Sequence, residues 1–283
     1  MSEGLSLHLS RLLAAGTPAV LVTVAEAKGS TPREQGAAML VTDARSHGTV
    51  GGGRLEWECL AQARKLLASG RSEAWVDIPL GPRVGQCCGG HVRLRLRRAG
   101  GAELAELEVM EAEAEAALPN VLLFGAGHVG RALAHALAPL PLRLRWIDAR
   151  AGEFPHPAPP GVEVVVTERP LAEIERAAPG SAAFVLTHSH ALDFTLCSAV
   201  LERGDFAYLG LIGSATKRAK FARGFRELGI AQARIDAMAC PIGGGALRDK
   251  RPAVIAALAA AELLLALGRV HTTAASSAQE RAA

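Results

Sequence analysis

Gly125-Ala126-Gly127-His128-Val129-Gly130 follows the apolar run 121–124 directly and opens a helical pattern over 129–137. This feature restricts the fold more than any other in the chain. A first glycine makes a tight turn, a second lets a phosphate approach the backbone, and a third lets helix and strand pack closely. The free N–H groups at the helix start then face an anion. Asp148 ends the next strand, where an acid can accept hydrogen bonds from a ribose. Asp148 by itself favours NAD over NADP, and Arg150 close by blurs that preference.

The surrounding pattern agrees with such a loop. Apolar runs at 121–124, 142–147, 162–166, 182–186 and 208–212 alternate with helical stretches, which implies right-handed crossovers and a parallel sheet. Residues 119–270 therefore read as a Rossmann-like domain, and 271–283 as a disordered tail. The last helix, over 253–267, has almost no polar face; burial in the domain or in a homodimer interface is expected. Residues 1–100 read as a separate α+β domain. Helices are predicted over 5–15 and 54–68, and strands over 19–24, 37–42, 74–80 and 92–96. The glutamate- and alanine-rich segment 101–118 reads as a solvated helical linker. The fold class is thus α/β, an α+β domain followed by a parallel-sheet domain.

Composition narrows the function classes. The net charge is +3, and no long basic tract interleaved with aromatics suggests nucleic acid. No apolar stretch is long enough to span a membrane, because the longest is broken by Glu262. Five cysteines without framework spacing, and an N-terminus lacking signal-peptide character, point to a reducing cytoplasm.

Two further constellations carry chemistry. Thr187-His188-Ser189-His190-Ala191-Leu192-Asp193 lies at the C-terminal end of a strand, the edge where open α/β sheets bind ligands. It differs from the His-x-His-x-Asp-His run of dinuclear zinc hydrolases, since Asp193 stands one residue late and no histidine follows. The favoured reading is a polar cleft lining in which His188 or His190 orients a ligand. Metal ligation with His128 as an extra ligand, and Asp193 as a simple helix cap, stay open. The second constellation is Gly85-Gln86-Cys87-Cys88-Gly89-Gly90, ahead of a strand in which His91, Arg93, Arg95 and Arg97 alternate with valine and leucines. Neighbouring cations lower a thiol pKa and attract phosphate. Free thiols that grip a soft metal centre or a sulfur-rich ligand are expected there. Cys59 and Cys197 read as core residues, and Cys240 is ambiguous.

These residues resemble a known family. Gly29-Ser30-Thr31-Pro32-Arg33, Gly51-Gly52-Gly53-Arg54-Leu55-Glu56 and Gln86-Cys87-Cys88-Gly89-Gly90 are similar to the N-terminal domain of the xanthine dehydrogenase accessory proteins, the XdhC/CoxI family. Phe124 to Gly130, Trp146-Ile147-Asp148-Ala149-Arg150, the histidine run, Tyr208 to Ser214, Lys217-Arg218 and Pro241-Ile242-Gly243 follow in the family's order. Gly243-Gly244-Gly245-Ala246 is richer in glycine than the pattern. The resemblance implies a molybdenum-cofactor chaperone without turnover of its own. Such a protein holds molybdopterin while a cysteine desulfurase supplies the sulfido ligand, then delivers it to the molybdenum subunit of apo-xanthine dehydrogenase. On this resemblance Cys87 and Cys88 are the candidates for contacting the molybdenum, Cys88 foremost. Gly89, Gly90, Arg33, Gly125, Gly127, His128, Gly130, Asp148, His188 and His190 complete the implied cofactor site. The alternatives are an NAD-dependent oxidoreductase using Asp148 with His188 or His190 as the acid, and a metal-dependent hydrolase built on His188, His190 and Asp193.

Overall fold

The computed structural model describes residues 3–80, 89–244 and 249–282, with side chains described as far as residue 268. The chain divides into two compact units, Ser2–Ala117 and the remainder from Leu118.

The first unit contains α1 (Leu5–Ala14), β1 (Val20–Lys28), β2 (Ala38–Val41), β3 (Ser46–Gly48), α2 (Gly53–Ser69), β4 (Glu73–Pro79), β5 (His91–Arg98) and α3 (Gly101–Ala116). Its five strands form an antiparallel sheet in the order β3-β2-β1-β5-β4. Period-two alternation decides which face each residue joins. Val92, Leu94 and Leu96 of β5 pack with Val20, Val22 and Val24 of β1 against Leu55, Cys59, Ala63 and Leu66 of α2. Arg93, Arg95 and Arg97 take the opposite face, where Arg93 and Arg95 lie 4.7 and 5.5 Å from the Trp75 ring centre.

The acidic segment expected to be a solvated linker is instead part of this unit. Leu107 of α3 is 2% exposed and packs with Leu9 of α1 and with Leu21 and Leu40 on the second face of the sheet. Its glutamates anchor the same contact: Glu103 accepts from the Gly100 amide at 3.0 Å, Glu106 pairs with Arg97 at 2.6 Å, and Glu111 accepts from Ser6. A narrow apolar stripe suffices because ion pairs and amides take up the acids around it.

The second unit contains β6 (Asn120–Phe124), α4 (His128–Leu137), β7 (Arg143–Asp148), β8 (Val162–Val166), α5 (Leu171–Arg176), β9 (Ala182–Val185), α6 (His190–Arg203), β10 (Tyr208–Leu211), α7 (Ala215–Glu227), α8 (Gln232–Ala237) and α9 (Pro252–Ala282). The strands are all parallel, in the order β10-β9-β6-β7-β8. Alternate residues of these strands feed two cores. Val121, Leu123, Trp146 and Phe184 meet α4 and α9 on one face. Leu122, Phe124, Val185 and Leu211 meet α6 and α7 on the other. Strand order reverses between β6 and β9, so a crevice opens above their C-terminal ends. The helix α9 continues to Ala282, where the sequence predicts a disordered tail; the alanines, Gln279, Glu280 and Arg281 of that stretch are compatible with helix. Among the described residues, no helix is long and apolar enough to cross a membrane.

Candidate functional site

The glycine loop between β6 and α4 is built on close approach. Gly125 has φ +115°, a conformation that disfavours any side chain, and a Cβ there would run into the Leu186 carbonyl. A Cβ on Gly130 would strike the Gly125 carbonyl, which the Trp146 indole N–H already holds at 2.9 Å. At Gly127 a Cβ would meet nothing within 4 Å. Packing therefore demands two of the three glycines, and the middle one keeps open ground at the start of α4. His128 is the first, exposed residue of that helix.

Asp148 stands at the end of β7 and is buried. Its Oδ1 accepts from the Arg150 amide and Nε, both at 3.0 Å; its Oδ2 accepts from the Ala126 amide and Arg150 Nη2, both at 2.8 Å. Burial by itself would raise its pKa, but the Arg150 side chain and the two amides outweigh it and bring the carboxyl down to about 2. A carboxylate offers roughly four acceptor positions, and four donors fill them. In this arrangement Asp148 has none left for a ribose, contrary to the expectation from its spacing. Its work is to tie the glycine loop to Arg150.

A cavity of about 310 Å³ lies over the C-terminal ends of the strands, bordered by Gly125, Asp148, Thr167, Glu168, Thr187 and His188 above an apolar wall of Ile147, Leu192 and Leu196. Thr167 and Glu168 escaped the sequence reading. Their only signal is position, directly after β8 at the binding edge of the sheet.

The histidine turn is organised from below. Ser189 caps α6 by accepting from the Leu192 amide at 3.3 Å, so the cap is Ser189 and not Asp193. Asp193 is completely buried. It accepts from the Thr187 amide and hydroxyl at 2.9 and 2.7 Å and from Lys217 Nζ at 2.6 Å. Lys217 also donates to the Ile212 carbonyl at 2.9 Å. One buried ion pair thus fastens the chain ends after β9 and β10 to the starts of α6 and α7. The sequence reading missed Lys217 as a partner because 24 residues separate it from Asp193.

His188 borders the crevice, whereas His190 borders a separate groove between α6 and α7. Both are exposed. With Asp193 committed to Lys217, the arrangement does not support a hydrolase centre. Among the described residues, no group of three or more His, Cys, Asp or Glu could hold a metal.

In the first unit, three glycine motifs meet. Ser30 and Gly89 form a parallel β-bridge, and a Cβ on Gly90 would lie 2.8 Å from the Lys28 carbonyl. A Cβ on Gly51 would lie 2.6 Å from Pro32 Cγ. The segment carrying Arg33, which is exposed, is therefore in backbone contact with Gly89-Gly90 and in side-chain contact with the loop that opens α2. Cys87 and Cys88 lie outside the described residues. Cys59, Cys197 and Cys240 are buried free thiols; burial, with Glu56 and Glu58 nearby, pushes Cys59 up to about 12, and burial also pushes Cys197 up. Such thiols are inert packing residues.

Comparison with known proteins covers both units. Residues 121–263 match the model of the XdhC Rossmann domain, and residues 12–78 match that of the XdhC and CoxI family. The chain is 26% identical over 251 residues to YqeB, an uncharacterised protein of Escherichia coli (strain K12), covering 87% of this chain and 43% of the relative. It thus spans less than half of that protein's length. A crystal structure described as a xanthine dehydrogenase from Bacillus halodurans shares the fold with a TM-score of 0.75 at 17% identity, over 94% of this chain and 96% of that one.

Proposed function

Since the chain belongs to the XdhC and CoxI family, we propose that it is a maturation factor for a xanthine dehydrogenase, a carrier rather than an enzyme. In this reading it binds the molybdenum cofactor, shields it while a cysteine desulfurase supplies the terminal sulfur, and passes it to the molybdenum subunit of the apo-enzyme. The observation that carries the reading is the meeting of Gly29 to Arg33, Gly51-Gly52 and Gly89-Gly90 at one rim of the first unit. Backbone packed this closely leaves main-chain groups and a few side chains to contact a ligand. Arg33 supplies a cation there, and Gly89 is bonded to the chain that bears Cys87 and Cys88, soft ligands suited to molybdenum.

The glycine loop and crevice of the second unit favour a nucleotide or other phosphate-bearing ligand, and an NAD(P)-dependent oxidoreductase is the second reading. The four donors on Asp148 count against it, because the ribose acceptor of such a site is already engaged.

The test is the pterin content of the purified full chain, read by fluorescence after oxidation. A fluorescent pterin that disappears in Cys88→Ala, with the circular dichroism unchanged, is the expected result. Pterin retained at the wild-type level in that variant would overturn the cysteine's role. Wild-type protein without pterin that instead binds NADH saturably would favour the second reading.

A further inference from the structure

The two sheets end in four edge strands, and three of these are closed to a further strand. In the first unit β3 is only three residues long, and β4 carries Glu73 and Asp77 and ends in Pro79. In the second unit Ala239 takes the outer side of β10. Its amide donates to the Leu209 carbonyl at 2.9 Å and its carbonyl accepts from the Leu211 amide at 2.8 Å. Short length, charge, proline and a covering segment are ordinary protections of a strand edge. The fourth edge, β8, is Val162-Glu163-Val164-Val165-Val166, without lysine or proline and paired to β7 without a bulge. Among the described residues, no strand or bridge lies on its outer side.

The parallel pairing decides which main-chain groups of β8 face outward. Asp148 stands opposite Val166, and the Thr167 amide donates to the Asp148 carbonyl at 3.2 Å. Alternate residues of a parallel strand bond to the same neighbour. Glu163, Val165 and Thr167 therefore turn their main-chain groups to β7, and Val162, Val164 and Val166 turn theirs away from it. The Val162 amide is taken by the Pro159 carbonyl at 3.2 Å. Among the described residues, the amides of Val164 and Val166 and the carbonyls of Val162 and Val164 meet no partner on that side.

The side chains suit a covered edge as well. Val162 and Val164 pack against one core of the unit and Val165 against the other, while Val166 is left 51% exposed. The single charge of the strand, Glu163, accepts from Arg145 Nε at 3.0 Å and Nη2 at 3.1 Å, so it is answered within the chain. An edge this apolar, with its amides free, is suited to pairing with another strand.

We propose that β8 is the contact surface for a second copy of this chain, paired antiparallel across a two-fold axis at Val164 so that the two five-stranded parallel sheets become continuous. In that register each Val164 amide donates to the Val164 carbonyl of the other copy, and each Val166 amide to the other copy's Val162 carbonyl. The Val162 amide, already engaged, is not needed. Glu163 falls opposite Val165, whereas an axis at Glu163 would set two carboxylates opposite each other. Val166 falls beside Val162 and leaves solvent. Self-pairing thus uses the whole strand. The proposal stands independently of the maturation reading.

Light scattering on the purified full chain should give twice the single-chain mass. Val166→Lys sets a cation at an exposed edge position, and Val164→Pro removes an outward amide without costing a bond to β7. Each should give the single-chain mass with circular dichroism unchanged; if the proline variant does not fold, the lysine variant decides. Hydrogen exchange at the Val164 amide should be at least about ten-fold slower in wild type than in Val166→Lys. A single-chain mass for wild type, a dimer that survives in every folded variant, or equal exchange of that amide in the two proteins would each overturn the proposal. None of these readouts depends on pterin content, so failure here leaves the cargo reading untouched.

Discussion

Asp148 places two oxygens among four donors, and that saturation has a pH signature. Its pKa in the folded chain is lowered to about 2 from an ordinary 3.8. The folded state therefore binds this proton less readily than the unfolded state. The stabilisation is complete above about pH 4 and disappears as pH falls through the interval down to about 2; it is worth about 2 kcal/mol. Urea titrations of wild type and Asp148→Asn should differ by about that amount at pH 7 and converge near pH 2. The pair of Asp193 and Lys217 makes a sharper case. Lys217→Met leaves a buried carboxylate without its cation and should cost about 3–5 kcal/mol, whereas Asp193→Leu combined with Lys217→Met should recover most of it. Failure of the double variant to recover would mean that the Thr187 contacts, rather than the ion pair, hold the histidine turn. Asp148 and the histidines were legible in the sequence because strand ends and spacing mark them. Their hydrogen-bond partners were not, since a carboxylate's saturation depends on side-chain rotamers and on residues such as Lys217 that only tertiary folding brings near.

At the level of elements, legibility followed periodicity. The alternation of β5 predicted both its buried valine and leucines and its arginine face, and the glycine loop announced the strand before it and the helix after it. The acidic helix α3 was misplaced for the opposite reason: one leucine per several glutamates gives almost no apolar stripe, although Leu107 is buried against three other leucines. Leu107→Ala should therefore destabilise by about 2–5 kcal/mol, well beyond what a solvated linker would show. The effect is directional as well. Hydrogen exchange should quicken at β1 and β2, which α3 helps to cover, so a silent substitution would return α3 to the status of a spacer.

For the molecule as a whole, the order of strands and helices was enough to announce an α+β unit followed by a parallel sheet. What the sequence withheld was how distant segments pair. Strand β1 lies between β2 and β5 in the sheet, with Val20 opposite Val41 on one side and Arg98 on the other. During synthesis the first of these partners follows β1 closely and the second comes much later. Translation at about 5–20 residues per second leaves the second edge of Val20–Lys28 bare for roughly 4–14 s, while the next 70 or so residues are made. The nascent chain thus passes through a stage in which a strand whose first half is apolar but for Thr23 waits with one side unzipped, exposed to other emerging chains, until His91–Arg98 arrives to close it.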